Sequence, residues 1–152
     1  MFLQFIKFII LNIFLYFFLI NSISANEKFL SIKKNKVNVR YGPGFDYPVK
    51  YIYRKINLPV KLIDKKENFR KIIDLKNNSG WVHISQIKKS NSIINLKDKI
   101  LFKKPSNFSY PILKVKKGRV LLIIKCKDNW CNVKTDKYSG WIKTNDIWGK
   151  IN

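Results

Sequence analysis

Negative charge, metal ligands and helix-forming patterns are all scarce in this chain. Only nine of its 152 residues are acidic, against 31 lysines and arginines, and Glu27 and Glu67 are the only glutamates. The acidic residues are scattered singly, so the paired carboxylates that a hydrolase needs are not in view. His83 is the sole histidine, and Cys126 and Cys131 are the sole cysteines. That is too few for an isolated zinc site with its four ligands. Neither a metal site nor a cofactor is expected, and His83 has no evident acidic or nucleophilic neighbour in sequence, so the chain is not read as an enzyme. Alanine occurs once, at Ala25. No window repeats apolar residues at the spacing of an amphipathic helix.

Long apolar runs are confined to the start. Residues 1–7 carry one positive charge, Lys7; residues 8–20 are apolar except for Asn12; small residues follow at Ser22, Ser24 and Ala25. A charged start, an apolar middle and a small-residue site are the layout of a secretory signal peptide. A membrane-crossing helix needs ~20 apolar residues, and extending the run backwards would place Lys7 inside the bilayer. Residues 1–25 are therefore expected to be cleaved, leaving no stable membrane span and a protein exported to the periplasm or cell envelope.

Cleavage would remove only Lys7, so nearly all of the net charge of +22 stays with the mature chain. Such a balance suits nucleic acid, but export argues against that partner. Wall polymers and lipid headgroups are the anions an exported protein meets. Two cysteines in an oxidising compartment should pair. Residues 121–125 and 132–135 read as the arms of a hairpin with Cys126 and Cys131 facing each other, at a separation that a disulfide tolerates.

The mature sequence is a series of short strands and turns. Val37-Asn38-Val39-Arg40 alternates apolar and polar residues, and Gly42-Pro43-Gly44 stops it. Val60-Lys61-Leu62-Ile63 and residues 69–75 follow around a turn at Lys65-Lys66-Glu67-Asn68, then Asn77-Asn78-Ser79-Gly80 leads into Trp81-Val82. Ser85-Gln86-Ile87 suits at most one 3₁₀ turn. The pattern then recurs. Tyr47-Pro48-Val49 is echoed by Tyr110-Pro111-Ile112, Asn68-Phe69 by Asn129-Trp130, and Ser79-Gly80-Trp81-Val82 by Ser139-Gly140-Trp141-Ile142, at offsets of 60 to 63 residues. Ordered matches at a nearly fixed offset indicate duplication. Units fall at 26–88 and 96–152, joined by a polar link over residues 88–95. Short strands with no helix between them predict an all-β fold of two small barrels.

The run Val37-Asn38-Val39-Arg40-Tyr41-Gly42-Pro43-Gly44, the step Tyr47-Pro48-Val49 and the later Gly80-Trp81-Val82 resemble the bacterial SH3-like family. The second copy is degenerate: Phe102-Lys103-Lys104-Pro105 stands where the first has its Arg and Gly, while Trp130 and Gly140-Trp141-Ile142 are kept. The resemblance implies two tandem SH3-like β-barrels and a non-catalytic binding module. Many members of the family bind peptidoglycan or its stem peptides. The expected partner is thus peptidoglycan or another anionic envelope polymer, with a periplasmic protein bound through an extended peptide as the alternative.

Individual residues are weighed beside the motifs. Gly42-Pro43-Gly44 is read as a turn needing positive φ rather than an anion cradle. Trp81 and Trp141 are read as core plugs. Arg40 either pairs with Asp46 or meets a carboxylate ligand. Tyr41, Phe45, Tyr47, Tyr51 and Tyr53 are more rings than a 60-residue core can absorb, so some should be exposed. The candidate ligand site is Arg40, Tyr41, Phe45, Tyr47 and Tyr51 on the first copy.

Overall fold

The computed structural model describes residues 28–149. The signal peptide expected at 1–25 and its cleavage site lie outside the described residues. The first unit runs β1 (Phe29–Ile32), β2 (Val37–Arg40), β3 (Val49–Tyr53), β4 (Pro59–Lys66), β5 (Phe69–Ile73), β6 (Ser79–His83), a 3₁₀ turn (Ile84–Gln86) and β7 (Ile87–Lys89). The second runs β8 (Ser92–Asn95), β9 (Lys99–Phe102), β10 (Pro111–Val115), β11 (Val120–Lys127), β12 (Trp130–Thr135), β13 (Tyr138–Lys143) and β14 (Ile147–Trp148). Each unit is one seven-stranded sheet, in the orders β3-β2-β6-β5-β4-β1-β7 and β10-β9-β13-β12-β11-β8-β14. The expected all-β pair of tandem barrels is what the chain forms.

Every strand of the first sheet sends a side chain into one region, and most of them into one cluster: Ile32, Val37, Val39, Tyr53, Val60, Ile72, Val82 and Ile87. A flat sheet cannot gather residues from all seven strands at one point, so the sheet curls around them. The second cluster, from Ile93 to Ile142, has the same arrangement. The duplication extends to irregularities. β3 bulges against β2 at Lys50, and β10 against β9 at Ile112. β4 bulges at Ile63 and β11 at Ile124. Extra residues of this kind turn a strand and sharpen its twist, so each barrel bends at the same corners.

Strand register corrects one correspondence. Arg40 faces Val49 and Trp81; Phe102 faces Pro111 and Trp141. The Tyr41 amide bonds to the Pro48 carbonyl, as the Lys103 amide does to that of Tyr110. Pro48 is thus matched by Tyr110, one place away from the pairing that the Tyr-Pro echo suggests. Elsewhere the sequence pairing holds, with Lys65 opposite Arg70 where the second copy has Cys126 opposite Cys131. Those two cysteines form a disulfide, their Cα atoms 4.1 Å apart.

The link read at residues 88–95 is mostly strand. Residues 88 and 89 complete β7, and Ser92–Asn95 is β8, which pairs with β11 and β14 and is wholly buried. The second unit therefore begins at Ser92, ahead of the expected residue 96. Its polar residues resemble a linker in sequence, yet they are buried and satisfied. The Asn95 amide donates to the carbonyls of Lys97 and Lys116, and its oxygen accepts the Arg119 N–H. Ser92 Oγ lies 2.8 Å from Ser31 Oγ of β1 and donates to the Asn57 carbonyl. Trp148 closes the same seam, its indole N–H donating to the Pro59 carbonyl and its ring 5.2 Å from Phe29. The barrels are packed together through β1 and β4 on one side and β8 and β14 on the other.

Candidate ligand-binding face

The loop between β2 and β3, residues 41–48, carries most of the candidate site, and Arg40 organises it. Arg40 Nη1 donates to the carbonyls of Phe45 and Tyr47, at 3.0 and 2.6 Å. These carbonyls flank Asp46, so the loop is tied through its backbone. No Arg40–Asp46 ion pair forms among the described residues, which corrects that reading. Arg40 Nε and Nη2 keep no partner among the described residues, leaving a donor edge free for a carboxylate or phosphate.

The glycines serve the loop differently from expectation. Positive φ in glycine occurs at Gly118 and Gly149 among the described residues, and not at Gly42 or Gly44. Gly42 is needed for space: a Cβ there would stand within 2.3–2.5 Å of the Tyr47 ring. Tyr47 folds back over the turn and remains half exposed.

Tyr41 and Phe45 are the most open rings of the face, 63% and 65% exposed. Lys50 Nζ sits 5.5 Å from the Tyr41 ring centre while donating to the Ser79 carbonyl. Phe45 stands on a small cluster, 5.2 Å from both Phe69 and His83, with the Arg40 guanidinium 5.6 Å from its ring. Lys50, Phe69 and His83 belong to the site although the sequence reading omitted them. Phe69 on β5 and His83 on β6 lie apart from the loop in sequence, and the sheet order brings them alongside, whereas Lys50 follows the loop directly at the β3 bulge.

Tyr51 does not join the face. On β3 it turns inward, half-buried beside the core and edge-on to Tyr53 at 5.3 Å. Its hydroxyl lies 3.4 Å from that of Tyr53, which donates to Asp74 Oδ2 at 3.0 Å. Burial pushes both phenols above their usual range, the neighbouring hydroxyl and Asp74 adding to the effect on Tyr53. The face is therefore Arg40, Tyr41, Phe45 and Tyr47, and Tyr51 supports it from beneath.

Parity explains a second difference. In β6, Gly80 and Val82 are buried, so Trp81 falls on the outer side. A Cβ on Gly80 would meet Val39 Cγ1 at 2.4 Å and the Arg40 carbonyl at 3.0 Å. The glycine thus lets β6 close on β2, and the core plug is Val82 rather than Trp81. Trp141 is likewise half-buried on the outside, with Lys125 Nζ 5.7 Å from its ring. His83 also differs from expectation, having a hydroxyl neighbour, Ser85 Oγ, 2.8 Å from Nδ1. The same nitrogen accepts the Ser85 N–H and caps the 3₁₀ turn. No cluster of three or more potential metal ligands occurs among the described residues, nor is any helix there long and apolar enough to cross a membrane.

With this geometry in hand, comparison with known proteins places the chain. Residues 33–89 and 98–149 each match the bacterial SH3 domain, and the chain belongs to that family. No curated protein matches it. Among solved structures it is similar to NlpC2 and NlpC1 from Trichomonas vaginalis, at 13% and 12% identity and a TM-score of 0.38 for both. The alignments cover 82% and 86% of this chain but 49% and 48% of those proteins, so it spans about half their length. At that level the likeness carries no functional argument.

Proposed function

We propose that the protein is an exported, non-catalytic binding module whose first barrel recognises peptidoglycan or another anionic polymer of the cell envelope. Bacterial SH3 domains commonly serve as cell-wall binding modules. The observation that carries the reading is the loop 41–48: three exposed rings held in place by an arginine that spends one nitrogen on the loop and keeps its other donors free. Rings that stay in water at a cost in free energy are the usual mark of a binding surface. A free guanidinium edge beside them supplies the charge-assisted bonds that a stem-peptide carboxylate or a polymer phosphate would accept. The Cys126–Cys131 bridge suits an oxidising compartment, in keeping with export.

Co-sedimentation with purified wall tests this reading against the adaptor alternative. The expected result is pelleting with wall in the absence of other proteins. A protein that stays soluble with wall, yet captures a defined periplasmic protein through the Phe45, Phe69 and His83 cluster, would overturn it.

A further inference from the structure

The second barrel, which lacks the Arg and Gly of the motif, has a cleft of its own of about 730 Å³. Clefts of ~300–1,000 Å³ are the range in which small ligands bind. It lies between the loop after β9, the start of β12 and the end of β13. Phe108 stands at its mouth, 100% exposed. The loop that carries it is bonded to itself: the Lys104 amide donates to Ser109 Oγ and the Phe108 amide to Ser106 Oγ. Trp130 forms the opposite wall, half-buried and edge-on to Phe102 at 5.8 Å. The Thr144 amide donates to the Asn129 carbonyl and ties the two remaining walls together.

The lining is distinctive for its charge. On a chain with 31 lysines and arginines, the only charged side chain lining this cleft among the described residues is Lys143, whose Nζ rests 5.7 Å from the Trp130 ring. The rest is hydroxyls, aromatic rings and side-chain amides. The amides of Asn107 and Asn129 have no hydrogen-bond partner among the described residues. Amides can donate and accept at once, which suits hydroxyl and acetamido groups rather than an anion. The fully exposed ring of Phe108 offers a face for the apolar side of a pyranose, and Trp130 lines the wall opposite. We infer that this cleft binds an uncharged saccharide, seated against Phe108 and Trp130 and hydrogen-bonded by Asn107 and Asn129. A peptide added as a further strand does not fit. β12 is already paired on both sides, by β11 and β13, so no open strand edge is on offer there.

The test is titration of the disulfide-bonded chain with an uncharged N-acetylglucosamine tetramer, beside a sugar-free stem peptide. The tetramer should bind, with an affinity that changes less than about twofold as the Debye length falls from ~10 Å to ~3 Å between 0.1 and 1 M salt. Phe108→Ala, at a site with no packing to lose, should weaken binding at least about tenfold, and Asn129→Ala severalfold, while Ile63→Ala, at an exposed apolar residue of the first barrel, leaves it unchanged. Failure of the wild-type chain to bind the tetramer would overturn the proposal, as would binding of the stem peptide alone. Tetramer affinity untouched by Phe108→Ala, or lost instead in the Tyr41/Tyr47 variant, would show that the saccharide sits elsewhere. Because wall binding by the first barrel is assigned to Tyr41 and Tyr47, either proposal can fail while the other stands.

Discussion

Where the first barrel has Tyr53 hydrogen-bonded to Asp74, the second has Val115 and Thr135; where the second has its disulfide, the first has Lys65 opposite Arg70. The strands and bulges are the same, so these devices are additions to a fold that stands on its curled sheet and its apolar cluster. The ligand faces diverge in the same way. The first barrel puts Arg40 at the end of β2 and bonds it to its own loop, while the second puts Phe102 there and ties its loop with serines. A single frame thus presents a cationic aromatic face once and a nearly uncharged cleft once. Duplication has let the loops change while the strands stayed fixed.

The sharpest way to probe this comparison is a lesion in one core. Ile72 is fully buried in the first cluster, and Ile72→Ala should cost about 2–5 kcal/mol. Thermal or denaturant unfolding followed by near-UV circular dichroism would then show whether the second barrel melts separately. The seam at Ser31, Ser92 and Trp148 predicts that loss of the first barrel also lowers the midpoint of the second. An unchanged second transition would mean that the seam contributes nothing.

Reduction of Cys126–Cys131 should have the next largest effect. The bridge closes a loop of sequence separation five, for which the chain-entropy relation gives about 2 kcal/mol. The loss should appear in the second barrel, with little change at Tyr53 in the first. A second barrel whose stability is unchanged by reduction would contradict the view of the bridge as a stabilising addition.

Tyr53→Phe should have a smaller effect, about 1 kcal/mol at neutral pH for one hydrogen bond. Its dependence on pH has a definite sign. A phenol whose pKa is raised by folding keeps its proton in the native state after the unfolded chain has lost its own, at about pH 10. The stabilisation is complete below that pH and is lost as pH rises through the native value. The stability curves of the wild type and the Tyr53→Phe variant should therefore converge above about pH 10. Parallel curves across that range would show that the Tyr53–Asp74 bond is not the source.

The strands legible in the sequence were those that alternate cleanly, such as Val37-Asn38-Val39-Arg40, and those bracketed by turn residues. β8 was hidden because its ends are Ser92 and Asn95, which resemble a linker until their buried hydrogen bonds are seen. The outward placement of Trp81 was readable in principle: once Val82 is in the core, period two sends Trp81 to the other face. Of the candidate site, the loop rings and Arg40 could be found by composition alone. Phe69 and His83 could not, because their place beside the loop depends on the order of strands in the sheet, and Lys50 could not, because its position follows from the β3 bulge. The cleft at Phe108 and Trp130 is not legible for a related reason: its walls come from three segments that only the folded sheet brings together.

The central claim is that the first barrel binds the envelope through its rings and not by charge alone. Wall-binding isotherms of the wild-type chain and the Tyr41→Ala/Tyr47→Ala variant, run from about 0.05 to 0.5 M salt, address it directly, since exposed-charge attraction fades as the Debye length shrinks. With Phe108→Ala placed in both proteins to silence the cleft of the second barrel, and folding verified by near-UV circular dichroism, the protein that keeps Tyr41 and Tyr47 should retain a salt-resistant component that the variant loses by about tenfold, ~1.4 kcal/mol. Binding that is equal in both proteins and vanishes with salt would mean that the lysines alone hold the protein to the wall.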